Sequence, residues 1–120
     1  MNYLTKQDVK NVIAKLIDFE SQLNNLYAMQ GINIDQNTGR RNMLLSPVQE
    51  KELANQLRQR YVHVTEDGRP GQPDIFIGDI TTELECKLTS GTKSGNSITY
   101  ALQTDYATLV NKGVLDYLYI

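Results

Sequence analysis

The chain has 120 residues, of which 40% are apolar and 22% are charged, and its formal net charge is −2. This length and composition predict one globular domain and exclude an intrinsically disordered chain. No apolar run approaches the roughly 20 residues that span a bilayer, and the polar amino terminus lacks the apolar core of a signal peptide. A cytoplasmic protein without a membrane partner is therefore expected.

The first predicted helix occupies residues 5–29. Thr5 is a helix-capping residue, and Asp8 follows it three positions later. Apolar residues then recur at helical spacing, at Val9, Ile13, Leu16, Leu23 and Tyr27. Glu20 fills a gap in this stripe, and the helix is expected to fade near Gly31.

The second predicted helix begins at Ser46-Pro47, because serine caps helices and proline suits the first helical position. Gln49 then completes a capping box. Glu50 shares one face of this helix with the apolar residues Leu53, Ala54, Leu57 and Tyr61. The preceding segment is mixed and contains the turn signal Asn37-Thr38-Gly39. The predicted organisation is a helical extension, residues 1–45, packed on a core of residues 46–120 within a single compact domain.

The next part of the chain is predicted to form strands. Residues 61–65, 74–77 and 80–88 have strand character, and Gly78-Asp79 is a tight turn between the last two. A polar loop at 89–97, a helix at about 98–112 and a buried strand at 114–120 are expected to follow. The predicted fold class is α/β, in the order helix, helix, three strands, helix, strand.

One cysteine, Cys86, and one histidine, His63, are present. An internal disulfide is therefore excluded, and a zinc site built on cysteine and histidine is disfavoured. A bound metal is expected to have oxygen ligands, which Mg²⁺ and Mn²⁺ prefer. The net charge does not indicate a nucleic-acid partner, so binding one would require locally concentrated positive charge.

One motif in the chain indicates a chemistry. Pro73-Asp74 is followed, after ten intervening residues, by Glu85-Cys86-Lys87. Glu85 and Lys87 point to the same face of the predicted strand, and pairing across the turn brings Asp74 towards Glu85. Two carboxylates and an ammonium group can hold a hard cation and assist the attack of water on a phosphodiester. In an alternative interpretation they are solvated charges on an exposed hairpin face.

This motif resembles the signature of the restriction-endonuclease-like nucleases, the PD-(D/E)xK superfamily. The resemblance covers residues 46–120, and the helix that carries Glu50 is similar to that of archaeal Holliday-junction resolvases and many restriction enzymes. It implies an α-β-β-β-α-β core with a mixed sheet flanked by helices, to which the first helix is an addition. It also implies dependence on Mg²⁺, for which Mn²⁺ substitutes, and hydrolysis that leaves a 5′-phosphate.

The resemblance assigns roles to individual residues. Asp74, Glu85 and Glu50 bind the metal, and Lys87 assists the attacking water. The backbone carbonyl of Cys86 is a further candidate ligand, and Glu20 is the alternative to Glu50 as a fourth acidic residue. Gln103, in the third predicted helix, is a candidate to support the site. Candidates for DNA phosphate contacts lie in predicted loops, at Arg40, Arg41, Arg69 and Lys93.

The expected function is a Mg²⁺-dependent DNA endonuclease of the restriction type. A homodimer is expected because cutting both strands needs two sites. One alternative is a Holliday-junction resolvase or a phage or repair nuclease. Another is a non-catalytic DNA-binding module with a nuclease fold, although such modules usually lose a carboxylate or the lysine. A third is a small α/β interaction domain with accidental acidic residues.

Overall fold

The computed structural model of the chain describes residues 3–67, 69, 72–88 and 116–120. These residues form an α/β fold, as the sequence predicts. The helices are α1 (Lys6–Ala28) and α2 (Thr38–Arg58), and short 3-10 turns lie at Ile34–Gln36 and Gly78–Ile80. The strands are β1 (Val64–Glu66), β2 (Ile75–Ile77), β3 (Thr82–Lys87) and β4 (Asp116–Tyr119).

Helix α1 begins where the sequence predicts. The Thr5 hydroxyl accepts a hydrogen bond from the Asp8 backbone N at 3.0 Å, and the Asp8 carboxylate accepts one from the Thr5 backbone N at 2.9 Å. The predicted apolar stripe is partly wrong, because Val12 is buried and Ile13 is exposed. Leu16 and Leu23 are buried as predicted, but Val12 takes the place of Ile13 because the packing of α1 against α2 decides which residues face inward.

Helix α2 begins at Thr38, so the predicted start at Ser46-Pro47 is wrong. The Asn37 side chain accepts a hydrogen bond from the Arg40 backbone N at 3.0 Å, so the predicted turn signal is a helix cap. Pro47 lies inside the helix, where it removes a backbone N–H. The burial of Leu45 in the core offsets that loss. The helix also runs without a break across the predicted edge of the amino-terminal extension.

The strands form one mixed sheet in the order β1-β2-β3-β4. The β1–β2 and β2–β3 pairs are antiparallel, whereas β3 and β4 are parallel. Between β2 and β3, a 3-10 turn takes the place of the predicted two-residue turn. Thr81 follows it with a φ of 49°, in the left-handed region that residues other than glycine rarely adopt.

Strands β1 and β3 begin later than predicted, at Val64 and Thr82 rather than near Tyr61 and Ile80. The Asp79 carboxylate accepts hydrogen bonds from the backbone N of Val62 at 3.1 Å and of His63 at 2.7 Å. A side chain that takes backbone donors competes with the sheet ladder, which accounts for the late start of β1.

The core lies between the two helices and one face of the sheet. Its fully buried members on α2 and the sheet are Leu45, Leu53, Ala54, Leu57, Ile75, Ile77 and Leu84. Leu118 and Ile120 pack against this core at β4. The helix predicted at about 98–112 lies outside the described residues. Within the described ranges, neither long helix is apolar enough to cross a membrane.

An ion pair ties the start of α1 to the end of α2. The Arg60 guanidinium donates to both carboxylate oxygens of Asp8, with 3.0 Å between Nη1 and Oδ1, and to the Tyr3 carbonyl at 2.8 Å. Asp8 is only 3% exposed. Burial raises the pKa of its carboxyl, but the hydrogen bonds from Arg60 and Thr5 outweigh burial and lower the pKa of Asp8 below its usual value.

Replacing Asp8 with Asn should lower the free energy of unfolding by about 1–3 kcal/mol, because the buried pair and the cap both lose a charge. The stabilisation from Asp8 is present above the unfolded pKa of about 3.9 and is lost as the pH falls through the lower folded pKa. Urea unfolding at roughly pH 2 to 7 should show an acid-induced loss in the wild type that Asp8→Asn lacks. Asp18→Asn, on the exposed side of α1, is the control. Equal acid sensitivity in wild type and Asp8→Asn would contradict this role.

Candidate functional site

Asp74 lies at the point where β2 begins. Its Oδ2 accepts a hydrogen bond from the Cys86 backbone N at 2.8 Å. Continued beyond Ile75↔Leu84, the β2–β3 register sets Asp74 opposite Glu85 and Pro73 opposite Cys86. A side chain therefore occupies the place of the strand partner that the Cys86 N–H would otherwise have.

The direction of the Cys86 N–H decides how close the motif residues lie. In an antiparallel ladder, pairs that exchange hydrogen bonds alternate with pairs that do not, and the second kind has Cα atoms about 4.5 Å apart. The Cys86 N–H points towards the β2 side, so a register continued to Asp74 sets it opposite Glu85 in a pair of this closer kind. The Cys86 carbonyl points to the same side, and Pro73 has no N–H to donate to it. The proline thus ends the ladder beside the Asp74 carboxylate.

Glu50 approaches this end of the sheet from α2. Burial, followed by the negative charges of Asp74 and Glu66, raises the pKa of Glu50 to about 7, although Lys87 lowers it. Glu50 is therefore close enough to Asp74 and Lys87 to sense the charge of both. Near neutral pH it is divided between its protonated and ionised forms.

Glu85 and Cys86 are both buried, each with 7% of its surface exposed. The burial of Glu85 speaks against the alternative in which it is a solvated charge on an exposed hairpin. Burial, followed by the charges of Asp74, Glu50 and Glu85, raises the pKa of the Cys86 thiol far above its usual value. A thiol that stays protonated is a poor metal ligand, so the sulfur does not belong to the donor set.

The acidic groups reach the site from two sides. Strand alternation puts Asp74, Glu85 and Lys87 on one face of the sheet, and Cys86 on the face that packs against α2. Among the described residues, no three acidic, histidine or cysteine side chains already stand in metal-binding geometry. The donors at hand are carboxylate and carbonyl oxygens, and this chemistry fits Mg²⁺ or Mn²⁺.

Sequence reasoning missed two residues beside this cluster. The Gln49 side chain is 1% exposed, and its Nε2 donates to the Lys87 carbonyl at 3.3 Å, so Gln49 is not part of a capping box. Glu66 pairs with Lys51 Nζ at 3.0 Å and with Arg58 Nη2 at 3.5 Å. The available signal for Gln49 was its position, in helical register with the buried Leu53 and Leu57.

The other residues that the sequence predicts for the site lie away from the acidic cluster or outside the described residues. Glu20 forms an ion pair with Arg41 between α1 and α2, beside a groove of about 430 Å³. Arg69 pairs with Asp67, with 2.7 Å between Nη2 and Oδ2. Arg40 and Arg41 lie in helix α2, so the prediction that they are in a loop is wrong. Arg40 is exposed to solvent. Gln103 and Lys93 lie outside the described residues.

Comparison of the chain with protein-family models, curated proteins and solved structures finds no match. The residues of the site are therefore the basis on which its function is proposed.

Glu50→Gln should flatten the pH dependence of stability. The folded pKa of Glu50, about 7, lies above its ordinary value of 4.5, so the folded state binds more protons between these values. Stability should therefore fall as the pH rises through this window, by at most about 3 kcal/mol and by less after solvent screening.

Urea unfolding in metal-free buffer at roughly pH 5 and pH 8 measures this effect. Glu50→Gln should match the wild type at the lower pH and exceed its stability at the higher one. Glu52→Gln is the control, because its amide oxygen can still accept the hydrogen bond from Gln56 Nε2. A wild-type pH slope in Glu50→Gln would show that folding does not raise the pKa of Glu50.

Proposed function

We propose that the protein is a Mg²⁺-dependent DNA endonuclease with a restriction-endonuclease-like core. The observation that carries the proposal is the Asp74 carboxylate, bonded to the Cys86 backbone N at the start of β2 and electrostatically coupled to Glu50. Asp74 and Cys86 belong to the motif, and Glu50 is the further acidic residue for which the sequence predicts the same site.

The arrangement of the elements also supports the proposal. Helix α2 carries Glu50 and precedes three antiparallel strands, and β4 lies parallel to β3 at the edge of the described sheet. This order agrees with that of the proposed α-β-β-β-α-β core. The connection between β3 and β4, residues 89–115, lies outside the described residues.

In the proposed site, Asp74, Glu85 and Glu50 hold the cation together with the Cys86 carbonyl. Mg²⁺, or Mn²⁺ in its place, supplies charge neutralisation and a more acidic water. Because a nearby positive charge favours an ionised carboxyl, Glu50 releases its proton when the site is filled. Lys87, on the same face as Glu85, assists the attacking water and stabilises the negative charge that develops on the phosphate.

The proposed substrate is polyanionic, so the site needs cations near the acidic cluster. Lys51 lies beside Glu50 in α2, and its side chain is 61% exposed in its pair with Glu66. An exposed pair of this kind is worth at most about 1 kcal/mol, so a DNA phosphate can compete for the lysine. Lys51 and Arg40 are therefore both proposed to contact the DNA phosphate backbone. Cleavage of both strands by one kind of site makes a two-fold homodimer part of the proposal.

The protein should nick or linearise plasmid DNA with Mg²⁺ or Mn²⁺. Asp74→Asn, Glu85→Gln and Lys87→Ala should each reduce the rate by about 100-fold or more, because each removes a group that acts on the reacting phosphate. Glu83→Gln is the matched control, since Glu83 lies on the same strand and face two residues before Glu85. Ca²⁺ should support DNA binding without cleavage.

Varying the DNA substrate and the metal ion distinguishes the endonuclease from the alternative functions. Faster cutting of a four-way junction than of linear duplex would favour a resolvase. Tight DNA binding without metal-dependent cutting would favour a non-catalytic module. Equal nicking by the wild type and the three site variants would show that the site is misplaced or the activity is a contaminant.

A further inference from the structure

We infer that Gln49 is a positioning residue, which holds the strand that carries Lys87 against the helix that carries Glu50. Its catalytic consequence rests on the proposed function, but its structural consequence does not. The Gln49 amide donates to the Lys87 carbonyl at 3.3 Å, and the same carbonyl accepts the Ile120 N–H at 3.0 Å. Helix α2 and strands β3 and β4 therefore meet at this one oxygen.

A glutamine in this position is costly unless it is bonded. Gln49 is 1% exposed and lies in helical register with Leu53 and Leu57, which are fully buried. A buried amide that loses its partner costs about 1–3 kcal/mol, whereas an apolar side chain would fill the same place without that cost. Hydrophobic contacts are non-directional, whereas a hydrogen bond fixes the position of its two partners. The amide therefore helps to fix the position of β3 relative to α2.

The hydrogen bond ties the side chain of Gln49, the residue before Glu50, to the backbone of Lys87. Gln49 directly precedes Glu50, and the carbonyl belongs to the residue whose ammonium group enters the proposed site. The charge of Lys87 lowers the pKa of Glu50, so the two side chains lie close enough to interact. If β3 shifts relative to α2 by about 1 Å, Lys87 and Glu50 no longer act on the same point, a displacement that can cost about 100-fold in rate.

Gln56 is a matched control on the same helix. It is also buried, at 7% exposed, two helical turns beyond Gln49. Its Oε1 accepts from Asn11 Nδ2 of α1 at 2.9 Å, and its Nε2 donates to Glu52 at 3.0 Å. Removing this amide disturbs the contact between the two helices and leaves the junction of α2 with β3 in place.

The test compares Gln49→Met with Gln56→Met, since methionine keeps the length and flexibility of glutamine but has no N–H to donate. Both variants should lose stability to a similar extent in urea unfolding. Only Gln49→Met should lose kcat, by about tenfold or more, with KM for plasmid DNA within about threefold of the wild type. A purely structural role predicts equal effects on kcat in both variants, and that result would overturn the inference.

A second readout needs no activity. Because the Ile120 N–H donates to the same Lys87 carbonyl as Gln49, releasing β3 from α2 should speed hydrogen exchange of the Ile120 amide in Gln49→Met and not in Gln56→Met. If Gln49→Met does not fold, Gln49→Leu is measured in the same way. If the wild type cleaves no DNA, the proposed function fails, and unchanged exchange of the Ile120 amide in Gln49→Met would then refute the positioning role independently.

Discussion

The hydrogen bond from the Cys86 N–H to the Asp74 carboxylate is the contact on which the site depends. It replaces a rung of the sheet with a side chain, and Pro73, which has no N–H, cannot continue the ladder past it. The sheet therefore ends between two strands, with a carboxylate and a backbone carbonyl at the opening. A continued β2 would have used these backbone groups for pairing and left Glu50 facing an ordinary strand.

The acidic cluster of Glu50, Asp74 and Glu66 is locally destabilising, and neighbouring groups reduce that cost. Burial raises the pKa of Glu50, and the negative charges of Asp74 and Glu66 add to this effect. The cluster persists because the Cys86 N–H stabilises Asp74, Lys51 and Arg58 pair with Glu66, and Glu50 can remain protonated. Perturbed carboxyl groups that cluster in this way are common at functional sites, and this is why a bound cation is proposed here.

The accuracy of the fold prediction followed the range of the interactions that set each boundary. The start of α1 was predicted correctly because its capping box at Thr5 is local. Ser46-Pro47 satisfies the same local rules yet lies inside α2, since the true start depends on the Asn37 cap and on burying Leu45 in the core. The late start of β1 depends on Asp79, which is distant in sequence and adjacent only after folding.

The same difference between local and long-range interactions decides which parts of the site could be predicted. Spacing within one strand determines that Glu85 and Lys87 share a face, and pairing across a short turn relates Asp74 to them, so the motif was accessible from sequence. How α2 is placed over β3 is a relation between two elements, and no spacing encodes it. That placement decides whether Glu50 meets Lys87. The inferred positioning residue is Gln49, whose side-chain amide joins helix α2 to the backbone of Lys87 and has no catalytic chemistry of its own. Such residues can be recognised in a structure from the hydrogen-bond partners of its buried polar groups.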